Sequence, residues 1–167
     1  RSILFDSKAD YLLYGMADLS IVEFANHLKH EQDPKSIRGL CYVSKDLVPD
    51  YLTINSYEEI SSDKKAYIDC FHTFYKNNDA LTAKGLQQAH GDRYLIQNPP
   101  AFPLSQKDLD RIYDLPFERK QHPYYETLGK VKALETIRFS ISTHRGCYGE
   151  CNFCAIAVHE GRTIQSR

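Results

Sequence analysis

Apolar positions in the first half of the chain fall into short blocks whose spacing changes from block to block. Tyr11, Leu12, Leu13 and Tyr14 form an unbroken apolar run, the pattern of a short buried strand, and Gly15 follows as a turn residue. Ile21, Val22, Ala25 and Leu28 recur at helical spacing, which predicts an amphipathic helix over about residues 18–30, ended by Asp33-Pro34. Residues 37–44 read as a second strand. Strand, helix and strand in this order suggest the tail of an α/β sheet layer.

Further along, Ser62 or Asp63 can cap a helix to about Lys76, with Tyr67, Cys70, Phe71 and Phe74 on one side and Asn77-Asn78-Asp79 closing it. Residues 83–89 predict a short helix and residues 94–97 a short extended run, which Asn98-Pro99-Pro100 ends. Ser105-Gln106-Lys107-Asp108 resembles a capping box with Asp in place of Glu, and opens a helix through about Tyr113. Leu115-Pro116-Phe117 and His122-Pro123-Tyr124-Tyr125 read as a well-packed loop. Residues 137–142 (Ile, Arg, Phe, Ser, Ile, Ser) alternate apolar and polar, the clearest strand pattern in the chain, with Phe139 and Ile141 as core. If its partner strands lie elsewhere, its edges stay open to association.

Composition narrows the function classes. With 42% hydrophobic and 26% charged residues the chain has a soluble, globular profile. A formal net charge of −1 argues against nucleic-acid binding through overall charge. No apolar run approaches membrane-spanning length, and the start is not a signal peptide. The first residue is Arg rather than Met, and the end has no capping pattern, so the sequence reads as an internal piece of a longer protein. Three of the five cysteines sit within eight residues, a distribution that points to metal binding in a reducing compartment and hence to the cytoplasm. Cys41 and Cys70, flanked by Leu40, Tyr42 and Phe71, are expected to pack in the core.

The clustered thiols are Cys147-x3-Cys151-x2-Cys154, directly after the alternating run. A loop of this size can wrap three thiolates around one corner of a cuboidal iron–sulfur cluster, and Gly146 and Gly149 permit the tight turns and close amide–sulfur approach this needs. A purely electron-carrying [4Fe–4S] centre normally uses four thiolates, so three leave one iron open to react. Two other readings use the same residues. A structural zinc site could take His159 or His144 as a fourth ligand, making the chain a zinc-stabilised, non-enzymatic binding module. A ferredoxin-like carrier would need Cys41 or Cys70 as the fourth thiolate. The Asp108/Asp110 and Glu58/Glu59 pairs read as helix-end and surface charges.

Cys-x3-Cys-x2-Cys with Phe153 before the last Cys resembles the signature of the radical S-adenosylmethionine (SAM) superfamily. Asn98-Pro99-Pro100, Leu104-Ser105, residues 110–117, His122-Pro123, Phe139-Ser140-Ile141, His144-Arg145-Gly146-Cys147 and His159-Glu160-Gly161-Arg162 together resemble the YgiQ family of that superfamily, over about residues 11–167. The resemblance implies an α/β fold: the tail of a Rossmann-like, cobalamin-binding-type layer in residues 1–44, a mixed connecting region in 45–130, and in 131–167 the first strand and cluster loop of a partial (β/α)6 barrel that is otherwise missing. It implies that Cys147, Cys151 and Cys154 hold a [4Fe–4S] cluster. The cluster's open iron would bind SAM, and one electron from a donor such as a flavodoxin or ferredoxin would cleave it to methionine and a 5′-deoxyadenosyl radical acting on an unknown substrate. Phe153 would lie near the adenine, with core packing as the alternative. His144 and Arg145 could hydrogen-bond the cluster or close the barrel mouth, Arg145 alternatively forming a loop salt bridge. His159 and Arg162 could face substrate or SAM, or be structural. The cobalamin loop pattern Asp-x-His-x-x-Gly is not found in residues 1–44.

Overall fold

The computed structural model describes residues 1–167 as two units, one of Arg1–Pro103 with Gly146–Thr163, the other of Leu104–Arg145 with Ile164–Arg167. In the first unit the elements run α1 (Ile3–Ser7), β1 (Tyr11–Leu13), α2 (Asp18–Lys29), β2 (Leu40–Ser44), β3 (Leu52–Ile54), α3 (Tyr57–Ser62), α4 (Lys64–Lys76), β4 (Leu86–His90) and β5 (Arg93–Gln97). The five strands form one sheet in the order β1-β2-β5-β4-β3. Only β3 and β4 are parallel; the other three pairings are antiparallel. The fold is thus mixed α/β, but β1 and β2 do not form the parallel layer expected of a Rossmann-like tail.

β2 lies between β1 and β5, and its first three residues, Leu40, Cys41 and Tyr42, are all buried, which is why its sequence is a run rather than an alternation. Ile37, Leu40, Tyr42 and Ile96 form the core, with Tyr11, Leu13, Phe24, Val48, Tyr51 and Tyr94 packed around it. α2 forms where expected but presents a different face. Ser20 is buried, its hydroxyl donating to the Arg38 carbonyl at 3.0 Å, and Phe24 meets Tyr11 edge-on at 5.3 Å. Ile21, Val22 and Leu28 are exposed. Apolar residues occur on most sides of this helix, so spacing alone could not select the stripe that meets the sheet.

The helix expected over residues 83–89 is instead β4. Gly91, at φ 61°, and Asp92 form a two-residue turn in which a leading Gly matches the twist of the paired strands. Buried Gln87 and Gln88 then serve as cross-strand ties. The Gln87 amide donates to Thr53 Oγ1 at 3.1 Å and its carbonyl accepts from the Val48 N–H at 2.9 Å; the Gln88 amide donates to the Asn55 carbonyl at 2.8 Å. Pairing on both sides outweighs the helix propensity of Leu, Gln and Ala here. β3 and α3 were not anticipated, although Ser56 and Glu59 make a reciprocal capping box on α3. α4 begins after Asp63 and ends at Lys76, as expected.

Asn98 joins the parts of this unit. It is 2% exposed. Its amide donates to the carbonyls of Lys35 at 2.8 Å and Ile37 at 2.7 Å, and its side-chain oxygen accepts from the Tyr51 hydroxyl at 2.8 Å. Its backbone N–H donates to Leu40 at 2.9 Å, and its carbonyl accepts from the Tyr14 hydroxyl.

In the second unit, α5 (Gln106–Tyr113) is capped by Ser105, whose hydroxyl accepts from the Asp108 N–H and donates to its carboxylate at 2.6 Å, as the capping pattern predicted. Leu109 is its buried anchor. α6 (Leu134–Ile137) follows, and β6 (His144–Arg145) pairs antiparallel with β7 (Gln165–Ser166). Gln165 is buried and accepts from the Leu104 N–H at 2.8 Å. The strand expected over residues 137–142 does not form: Ile137 ends α6, and Phe139 and Ile141 are 78% and 83% exposed rather than core. An alternating run is only half of a strand; without a neighbour its ladder hydrogen bonds have no partners. Leu115, Phe117, Tyr124 and Tyr125 are likewise exposed, not well packed. The last helix, α7 (Ile156–Glu160), belongs to the first unit.

Replacing Asn98 with Ala strands several buried groups at once, and we expect it to lower unfolding free energy by about 3 kcal/mol, measured by urea denaturation. His90 gives a pH dependence. It is buried between the rings of Phe5, 4.4 Å away, and Tyr57, 5.2 Å away, and desolvation lowers its pKa below 6.5. As pH falls through about 6.5, the unfolded chain takes up a proton that the folded chain refuses, so this stabilising contribution is lost toward acid. Denaturation at pH 7.5 and 5.5 should therefore show a larger acid loss for the native chain than for His90→Gln.

Candidate functional site

The cysteine loop is closed by the residues that follow α7. Gly161, at φ 84°, turns the chain so that its carbonyl accepts from the Cys147 N–H at 3.0 Å, and the Glu160 carboxylate accepts from the Gly146 N–H at 2.9 Å. Both ends of the loop are thereby held through backbone groups. Within it, the Gly149 N–H donates to Cys147 Sγ at 3.4 Å, Cys151 Sγ lies 3.7 Å from the Gly149 carbonyl, and the Cys154 N–H donates to the Cys151 carbonyl at 2.9 Å.

Gly149 matters here for its missing side chain. A Cβ at that position would sit 3.3 Å from Cys147 Sγ and 3.7 Å from Cys151 Sγ, so two of the three sulfurs border one bare stretch of backbone. Soft thiolate donors, an amide directed at sulfur and this bare backbone suit an iron–sulfur group. The three sulfurs are not themselves drawn together, and no three His, Cys, Asp or Glu side chains are grouped closely enough to hold a metal ion. All three thiols are free, Cys151 exposed and Cys147 and Cys154 half-buried.

Around the loop, Phe153 is 93% exposed, so it is not a core residue, and Tyr148 is nearly as open. His159 is exposed on α7. In the second unit, His144 is exposed in β6 with Nδ1 3.0 Å from the Thr143 hydroxyl, and Arg145 Nε donates to the Tyr113 hydroxyl at 3.2 Å. Arg162 has its Nε 3.0 Å from the Glu150 carboxylate, and its guanidinium lies 4.6 Å over the ring of Tyr75 on α4. Its Nη2 is buried without a hydrogen-bond partner. The loop-closing work of Glu160 and the Glu150–Arg162 pair were not anticipated. The available signal was a carboxylate between two cysteines and a cation eight residues after the third.

The remaining cysteines behave differently. Cys41 is buried in β2, opposite Leu12 and Gln97, and burial pushes its thiol up to about 12. Cys70, half-buried on α4, is also raised by burial. Burial disfavours the thiolate a metal ligand needs. Cys41 packs as expected; Cys70 is only partly covered. Glu59 is spent on its helix cap, Glu58 accepts from the Gly91 N–H at 3.1 Å, and Asp110 pairs with Arg167 at 2.9 Å, in keeping with surface roles. No helix is long and apolar enough to cross a membrane.

Residues 1–140 match the family described as Radical SAM N-terminal, a match that stops before Cys147. A UPF0313 protein of Fusobacterium nucleatum is 56% identical over 167 residues, covering all of this chain and 29% of the relative. UPF0313 proteins of Clostridium botulinum and Clostridium perfringens are 45% and 43% identical, again over the whole chain, which covers 27% and 26% of their lengths. The chain therefore spans less than a third of the relatives it matches. No solved structure matches.

Exposure and thiolate access order the five thiols. A short anaerobic pulse of iodoacetamide on metal-free protein, read by peptide mass spectrometry, should label Cys151 first and Cys41 last. Early labelling of Cys41 would contradict its placement in β2.

Proposed function

Because the chain belongs to the radical SAM N-terminal family, with UPF0313 proteins of YgiQ type as its relatives, we propose that Cys147, Cys151 and Cys154 hold a [4Fe–4S] cluster with one iron left for SAM. The observation that carries this reading is the pair of sulfurs bordering Gly149, one of them accepting its N–H. When bound, such a cluster supplies one electron for reductive cleavage of SAM into methionine and a 5′-deoxyadenosyl radical. Residues of this chain would hold and shield it. The three cysteines ligate, the Gly149 N–H stabilises negative charge on Cys147 sulfur, and the Glu160 and Gly161 contacts fix the loop ends. Exposed Phe153 is free to cover the adenine of SAM, a role its solvent position favours over packing.

In this reading residues 131–167 begin the (β/α)6 barrel, and the alternating run at 137–142 becomes a strand once barrel neighbours are beside it. The substrate is met by the remainder of the barrel, the electron comes from a flavodoxin- or ferredoxin-like donor, and the setting is the cytoplasm, where free thiols persist.

Anaerobic reconstitution with iron and sulfide tests the proposal. We expect close to four irons per chain with a broad visible absorption, lost on Cys→Ala at any of the three positions. Colourless protein with one zinc per chain, unfolding on chelation, would instead establish the structural zinc module.

A further inference from the structure

Arg162 belongs to the segment that closes the cysteine loop, yet its side chain engages neither a cysteine nor the backbone. It reaches Glu150, which sits between Cys147 and Cys151 with its backbone at φ 46°, a left-handed conformation uncommon for a non-glycine residue. On its other side it lies on Tyr75, and Tyr75 is in turn stacked on Phe71 at 5.8 Å and 22°. Both aromatic residues are in α4. The Arg162 side chain is a quarter exposed, against half for that of Glu150, so the pair is more shielded than an ordinary surface ion pair. Two of its nitrogens, Nε and Nη2, are buried without a hydrogen bond; Nε meets Glu150 as an ion pair only, and Nη2 is unused.

We infer that Arg162 is a positioning residue for the cysteine loop: it clamps Glu150, and with it the backbone between Cys147 and Cys151, against the Tyr75 face of α4, and holds one buried donor ready for the anionic group the loop takes up. The inference rests on the cluster reading above for the identity of that group. A guanidinium suits the task because its planar face stacks while its edge pairs with a carboxylate, a combination an ammonium cannot make. Thiolates and an anionic cluster add negative charge beside Glu150, and Arg162 is the cation paired there, so it also offsets that charge.

The test uses the full chain in four forms: native, Arg162→Ala, Arg162→Lys and Tyr75→Phe. In metal-free protein, the iodoacetamide rates of Cys147 and Cys151 should rise in Arg162→Ala and stay near native in Tyr75→Phe, which keeps the ring. After reconstitution, Arg162→Ala should lose iron to a chelator roughly tenfold faster than native protein. Its midpoint potential should shift negative, because a nearby cation favours the reduced cluster. Arg162→Lys, which keeps the charge and is the variant least exposed to misfolding, should retain the native potential and still lose iron faster. Native labelling, retention and potential in Arg162→Ala would overturn the inference. If native protein takes up no iron, the cluster reading fails; the labelling rates then still decide whether Arg162 positions the loop.

Discussion

The side chain of Asn98 has no water to fall back on, and that constraint organises the sheet unit. Buried at the end of β5, it must place two N–H groups and one oxygen among protein partners, and it finds them in the carbonyls of Lys35 and Ile37 and the hydroxyl of Tyr51. These groups come from the connection before β2 and the turn before β3, so meeting one amide's needs brings together segments far apart in sequence. The two prolines that follow cannot continue the ladder, and the strand ends there. Arg38 reinforces the junction through the carbonyls of Pro100 and Ala80 and by lying over Phe102 at 3.9 Å.

The cysteine loop relies on the same logic in a more open setting. Backbone donors at Gly146 and Cys147 are met by Glu160 and Gly161, so the loop is shaped by its flanks rather than by packing of its own side chains, most of which face solvent. Open thiols and an exposed aromatic residue beside a backbone-fixed loop fit a site meant to accept something, whereas buried Cys41 shows what a purely structural cysteine looks like in this protein.

Local signals were legible where they were self-contained. The run at 11–14, the Asp63 and Ser105 caps, and the short strand before Asn98 all carry their reason within a few residues, and each element formed within a residue or two of its expected place. Signals that depend on a distant partner misled. Residues 83–89 favour a helix alone, but Leu86–His90 forms a strand because β3 and β5 flank it. Residues 137–142 read as a strand yet have no neighbour to pair with. The stripe on α2 could not reveal that Ser20 is buried and Phe24 packs on the sheet core while Ile21 and Val22 stay exposed. At the candidate site the cysteines and glycines stood out by spacing, while Glu150, Glu160 and Arg162 act through contacts that only the folded chain creates.

Both outermost strands of the five-stranded sheet, β1 and β3, are only three residues long. A border that brief exposes too few unpaired peptide groups for a second molecule to stitch itself on, so the sheet resists growing from chain to chain into fibrous assemblies.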